Sequence, residues 1–184
     1  MSAEAPGIVT PGTHAYDTLD VPVSGGTVRV GVWDPVTGNG ATPTSAPTVL
    51  AVHGITASHR AWPAVVAALP GVRVVAPDLR GRGRSNDLPA PYGMGAHADD
   101  VAAVLDAVGA DSVVALGHSM GGFVAVVLAH RHPGRVSTIV LVDGGIPLPP
   151  PSRLADDATT DEILRALLGP AAARNQIDSV LRLF

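Results

Sequence analysis

Apolar and polar positions divide the chain into segments of different period. Val28, Val30 and Val32 alternate with Arg29 and Gly31, as in a strand with one buried face. With Ala15 to Val21, and Ser24-Gly25-Gly26 as the turn between them, this predicts an antiparallel hairpin of strands over 15–21 and 27–33. A Gly/Pro/Thr/Ser loop follows over 34–47. Then the pattern changes: Thr48-Val49-Leu50-Ala51-Val52 is continuously apolar, which predicts a strand covered on both faces. Runs at 72–76, 113–116 and 136–142 repeat it. Between them, 61–69, 95–108 and 120–130 read as helices, the second from the spacing of Val101, Val104, Leu105 and Val108. Asp78 to Tyr92 reads as a long polar loop. Strands alternating with helices at this spacing predict an α/β fold with a mostly parallel sheet and right-handed crossovers.

Outside that alternation the chain reads differently. Residues 1–13, with Pro6, Gly7, Pro11 and Gly12, predict a flexible arm. Residues 14–146 form the expected core, and 147–184 a separate segment. Pro147, Pro149, Pro150 and Pro151 make a stiff connector that cannot be a central strand. Thr159 to Glu162 resembles a capping box opening a helix that stops at Gly169-Pro170. Ile177, Val180, Leu181 and Phe184 share one face of a second helix. An end on apolar Phe184, with no polar tail, is what a truncated chain would show.

Composition narrows the chemistry. The 184 residues suffice for one domain with its own core; 46% are hydrophobic and only 3% aromatic, so that core is mostly Val, Ala and Leu. A net charge of −4 argues against a nucleic-acid partner. All 12 basic residues are arginine, which excludes a P-loop and Schiff-base lysine chemistry. The absence of cysteine excludes disulfides, thiol catalysis and cysteine-bound zinc. Residues 1–13 lack the basic and apolar regions of a signal peptide, and no apolar run approaches the roughly 20 residues of a membrane span. A cytoplasmic protein is therefore expected. The Arg, Ala, Val, Gly and Pro bias points to a GC-rich, bacterial source.

The candidate chemistry centres on Gly117-His118-Ser119-Met120-Gly121-Gly122, between a predicted strand and a predicted helix. A strand, a turn tight enough to need small residues, and a helix are how a serine is lifted from a sheet as a nucleophile. Ser119 at a helix N-terminus would meet a dipole that favours developing negative charge. His53-Gly54-Ile55 follows an earlier strand of the same sheet, where an oxyanion loop belongs. The backbone N–H groups of Ile55 and Met120 are the expected donors, and His53 is a structural residue that shapes the loop.

Taken in order, His53-Gly54, Asp78-Leu79-Arg80-Gly81-Arg82-Gly83-Arg84-Ser85 and the Ser119 motif resemble the α/β-hydrolase fold family over about 15–145. The likeness is to its serine branch of esterases, C–C bond hydrolases and cofactor-free perhydrolases or haloperoxidases. A serine nucleophile sets the chain apart from the dehalogenases and epoxide hydrolases, which use aspartate. The resemblance implies attack of Ser119 on an ester or related carbonyl, an acyl-enzyme, no metal or organic cofactor, and 147–184 as the start of a helical cap over an apolar small-molecule site. It makes the Asp78–Ser85 loop structural, with its arginines as loop anchors. An acyltransferase with the same serine, or a non-catalytic binding protein on this fold, are the alternatives.

Asp143, at the end of the 136–142 strand, is where some members of the family carry the triad acid; a loop-capping aspartate is the competing reading. Asp99 and Asp100 read as residues that cap a helix or match its dipole. In chain order the family places its histidine base last, and no histidine follows His132. His118 is expected to point away from Ser119, and His130 and His132 to lie at the far end of the helix. His59 and His97 fall in loops that could face the site. The expectation is a chain without its general base, inactive alone, with a free sheet edge after Val136–Val142 and hence a homo-oligomeric partner or a complementing C-terminal segment.

Overall fold

In the computed structural model, β1 (His14–Val23) and β2 (Gly26–Pro35) pair antiparallel from His14–Pro35 to Val23–Gly26, the hairpin that the alternation predicts. Gly25 makes the turn at φ +88°, a conformation that disfavours side chains. The structure describes residues 14–36 and 46–145, all in the first of two units, Met1–Gly145 and Ile146–Phe184. The arm expected over 1–13 and the cap segment expected over 147–184 lie outside the described residues.

β2 joins β4 (Arg73–Pro77) antiparallel, while β3 (Thr48–Val52) lies parallel between β4 and β5 (Val113–His118). β6 (Val136–Val142) adds parallel to β5, so the sheet runs β1-β2-β4-β3-β5-β6. The crossovers carry α1 (Pro63–Ala67), α2 (Met94–Ala107) and α3 (Met120–Arg131).

Leu50 and Val52 pack with Val101 and Leu105 of α2 and Val124 and Leu128 of α3 on one face of the sheet. Ala51 packs with Trp33, Trp62, Val66 and Val74 on the other. Alternate residues of β3 thus serve opposite layers, which is why its sequence is apolar without interruption. Each fully buried Leu or Val of this kind contributes about 1.5–3 kcal/mol. Among the described residues, no helix is long and apolar enough to cross a membrane.

Three expectations need correction. The helix expected over 61–69 divides into a 3-10 turn, His59–Ala61, and α1, because Pro63 occupies the first helical turn, where its missing N–H costs nothing. The polar loop over 78–92 contains a 3-10 turn at Gly83–Ser85. The 136–142 strand is not covered on both faces. Val140 and Val142 are 42% and 46% exposed, because the α1 layer packs over β2, β3 and β4 and does not reach β6. Among the described residues β6 forms one edge of the sheet and β1 the other.

Strand order also fixes where a site can form. From β3 the chain moves out to β4, then returns past β3 to β5. The C-terminal ends of β3 and β5 therefore meet at the topological switch point, the crevice where open α/β sheets hold their ligands.

Candidate active site

Ser119 stands at that switch point, between β5 and α3, with φ 50° and ψ −119°. A residue with a side chain pays about 1–3 kcal/mol for such a conformation, and the surroundings must impose it. They do so through the backbone. The Ser119 N–H donates to the Val142 carbonyl at 2.8 Å, and its carbonyl accepts from the Gly122 N–H at 2.9 Å. A Cβ on Gly117 would lie 2.5 Å from the Gly121 carbonyl oxygen; one on Gly121 would overlap the Val52 carbonyl, and one on Gly144 that of Ser119. Chain from β3, β5, α3 and the end of β6 thus closes on the serine with no room for side chains. No side chain caps α3, which leaves the Met120 N–H at the helix terminus beside Ser119.

The loop after β3 touches this turn. A Cβ on Gly54 would stand 3.3 Å from Ser119 Cβ and 3.1 Å from His118 Nδ1. His53 is buried: its Nε2 accepts the Leu79 N–H at 3.0 Å and its Nδ1 lies 2.7 Å from the Gly54 carbonyl oxygen. Because a backbone N–H only donates, the proton of this ring belongs on Nδ1. Burial pushes the His53 imidazole below its ordinary pKa, which keeps it neutral. Ile55 is 54% exposed, and its carbonyl accepts Arg82 Nε–H at 2.7 Å.

Asp78 organises the neighbouring loop. Its buried carboxylate accepts from the His59 N–H at 2.6 Å, from His59 Nδ1 at 2.8 Å and from the Arg84 N–H at 2.7 Å. Burial pushes this carboxyl up, and hydrogen bonds from His59 and the Arg84 N–H outweigh it, holding the carboxyl below the usual range. Gly83, at φ +52°, presses so close that a Cβ would overlap the carboxylate. Arg80 forks onto Asp100 at 2.9 and 2.8 Å and also donates to the Pro89 and Ser24 carbonyls. Arg80 and Arg82 are thus loop anchors with backbone and carboxylate partners.

The histidines and acids fall partly elsewhere than expected. His97 is not in a loop: it lies within α2, buried, with Nδ1 unpartnered among the described residues, and burial lowers its pKa. His59 does not face the site; it is buried between Asp78 and Tyr16, whose hydroxyl lies 3.0 Å from Nε2. His118 is exposed, and its ring lies against Gly54. His132 meets Asp99 at 2.8 Å, at the far end of α3. Asp99 and Asp100 do not cap α2, which begins at Met94 behind Gly93. Asp99 instead pairs with Arg131, and Asp100 with Arg80. Asp143 is exposed, left-handed at φ 52°, and directly follows the Val142 carbonyl that holds Ser119. Among the described residues no histidine is hydrogen-bonded to Ser119. Nor do any three His, Asp or Glu side chains there stand close enough to hold a metal ion.

Comparison with known proteins adds an independent line. The family described as alpha/beta hydrolase fold matches residues 47–168. Lipase LipV of Mycobacterium tuberculosis (strain ATCC 25618 / H37Rv) is 37% identical over 132 residues, which are 68% of this chain and 48% of that protein. The chain therefore spans about half the length of this curated relative. Among solved structures, a thioesterase domain from the curacin biosynthetic pathway superposes with a TM-score of 0.62 at 26% identity, over 91% of this chain and 53% of its own. A thermophilic esterase from Thermogutta terrifontis does so with a TM-score of 0.58 at 30% identity, over 75% and 48%.

Proposed function

The chain belongs to the α/β hydrolase fold family, and from that membership we propose that it carries the acyl-accepting part of a serine hydrolase of esterase or lipase type. Ser119 Oγ attacks the carbonyl carbon of an ester, and the carbonyl oxygen becomes an oxyanion held by the N–H groups of Ile55 and Met120. Collapse expels the alcohol, which carries the proton given up by Ser119 Oγ, and leaves an acyl-serine; water then adds to the acyl carbon, returns a proton to Oγ and releases the acid. The observation that carries this reading is the enforced left-handed conformation of Ser119, in contact with Gly54. Imposed conformations of this cost cluster at active sites, where the strain serves the nucleophile. Asp143, next to the carbonyl that holds Ser119, is the candidate acid within this chain. None of the seven histidines is assigned as the base.

The likeness to a lipase and an esterase favours oxygen esters of apolar acyl groups, and the likeness to a thioesterase domain adds thioesters as the second class to assay. The test is labelling of the protein by a fluorophosphonate probe, followed by turnover of p-nitrophenyl esters of rising chain length. Labelling at Ser119 that vanishes in Ser119→Ala supports the reading. Equal labelling of both proteins, or none of either once a C-terminal segment supplying acid and base complements the chain, overturns it and leaves a binding protein on this fold.

A further inference from the structure

Two histidines bracket the loop that bears Ile55, and consecutive residues at the end of β4 hold both. Leu79 N–H donates to His53 Nε2 at 3.0 Å, while Asp78 Oδ1 accepts from the His59 N–H and Nδ1 at 2.6 and 2.8 Å. A carboxylate accepts only, so His59 carries its proton on Nδ1 and offers Nε2 to the Tyr16 hydroxyl at 3.0 Å. Both rings are buried, and His59 Cδ2 lies so close to Gly31 that a Cβ there would stand 2.7 Å from it. The loop between the two rings is therefore stapled at each end to Asp78-Leu79.

Those staples set a direction. His53 Nδ1–H donates to the Gly54 carbonyl, which also accepts the Ala57 N–H at 3.1 Å. That carbonyl and the Ile55 N–H share one trans peptide plane and point in opposite senses, so fixing the oxygen fixes the N–H. Hydrogen bonds to the oxygen also polarise the N–H they leave free. Arg82 Nε–H holds the Ile55 carbonyl, which fixes the next plane as well. Ile55 is thus exposed on a loop whose backbone is pinned on both sides of it.

We propose that His59, held between Asp78 and Tyr16, is a positioning residue that aims the Ile55 N–H at the oxyanion formed on Ser119. His59 takes no part in the chemistry; its ring and backbone N–H clamp the far end of the loop, as His53 clamps the near end. The inference rests on the reading of Ser119 as nucleophile and Ile55 as donor.

The test compares the full chain with His59→Ala, His59→Asn and Tyr16→Phe, by nitrogen-15 NMR and by the rate of fluorophosphonate labelling. The His53 imidazole should be the Nδ1–H tautomer, and His59 Nδ1 should carry a proton. His59→Ala should displace the Ile55 amide resonance and slow labelling about 10- to 100-fold. His59→Asn, whose amide N–H reaches toward Asp78, should bring both back toward wild type, a rescue that loss of packing alone would not show. Tyr16→Phe should move the His59 Nε2 resonance and slow labelling about threefold, and it decides the matter should His59→Ala fail to fold. An unmoved Ile55 amide in a folded variant, or an Nε2–H tautomer at His53, overturns the proposal. If the wild type, complemented by a segment that supplies acid and base, is not labelled while the Ile55 amide still responds to His59→Ala, the serine reading fails and the clamp stands.

Discussion

Gly121 faces the carbonyl oxygen of Val52 so closely that a Cβ at position 121 would overlap it. α3 can begin where it does only because nothing but hydrogen lies between these two backbones. Gly121→Ala must push the start of α3 off the end of β3, at a cost of about 1–3 kcal/mol or more. Gly95→Ala provides the contrast, since its Cβ would stand 3.7 Å from the Arg131 guanidinium, inside α2. That change should stabilise by about 0.5–1 kcal/mol. Urea denaturation of the two variants should shift the midpoint in opposite directions.

Ser119 holds its left-handed conformation against its own preference. Glycine adopts that conformation freely, while alanine meets the same strain as serine. Ser119→Gly should therefore be more stable than Ser119→Ala by about 1 kcal/mol. Neither variant should accept a fluorophosphonate. Equal midpoints for the two would mean that the turn carries no strain.

Arg80 and Asp100 form an ion pair whose side chains are 3% and 8% exposed. Asp100→Ala strands a buried guanidinium and should cost about 3–5 kcal/mol. Replacing both partners together, as Arg80→Met with Asp100→Leu, should recover most of that loss, because the stranded charge disappears with its partner. A double-mutant cycle in urea measures the difference.

Burial holds His53 and His97 below the ordinary histidine pKa. Between their folded pKa values and about 6.5, the unfolded chain binds more protons than the folded one, so stability rises with pH across that window. Acidification below about pH 6.5 should lower the urea midpoint progressively until the folded values are reached. Asp78, whose carboxyl is held low, adds a second loss below about pH 3.9. His97→Gln should flatten the first slope; a wild-type midpoint that is level between pH 7.5 and 5.5 would contradict the assignment.

The parts of this fold visible in the sequence are those set by neighbouring residues. The turn at Ser119 is local: a strand, Gly117, Gly121 and a helix stand within a few residues of it, and the structure has the same order. The hairpin was visible because alternation and a Ser-Gly-Gly turn coincide. What escaped was set by distant partners. Asp100 looked like a helix-capping residue until Arg80, 20 positions earlier, proved to be its partner, and Asp99 pairs with Arg131, 32 positions later. His97 lies in the helix that the spacing over 95–108 already predicts, and what escaped was its burial, which distant packing sets. His59 gave no signal, since Tyr16 and Asp78 come from different strands and loops. The exposure of Val140 and Val142 escaped because an apolar run reveals strand character and not what covers it.

The conformation of Ser119 is set by its own turn, through the Gly122 N–H, and also by chain remote along the sequence: Val52 and Gly54 before it, Val142 and Gly144 after it. In a nascent chain that has not yet laid down its sixth strand, the Val142 carbonyl that accepts the Ser119 N–H is not yet in place. Reactivity would then arrive only with the last contacts of assembly, because long-range pairings close late. The serine would thereby report its own completion: a misfolded or half-synthesised copy stays silent, and the rate at which a probe captures Ser119 in rising denaturant should follow the global transition.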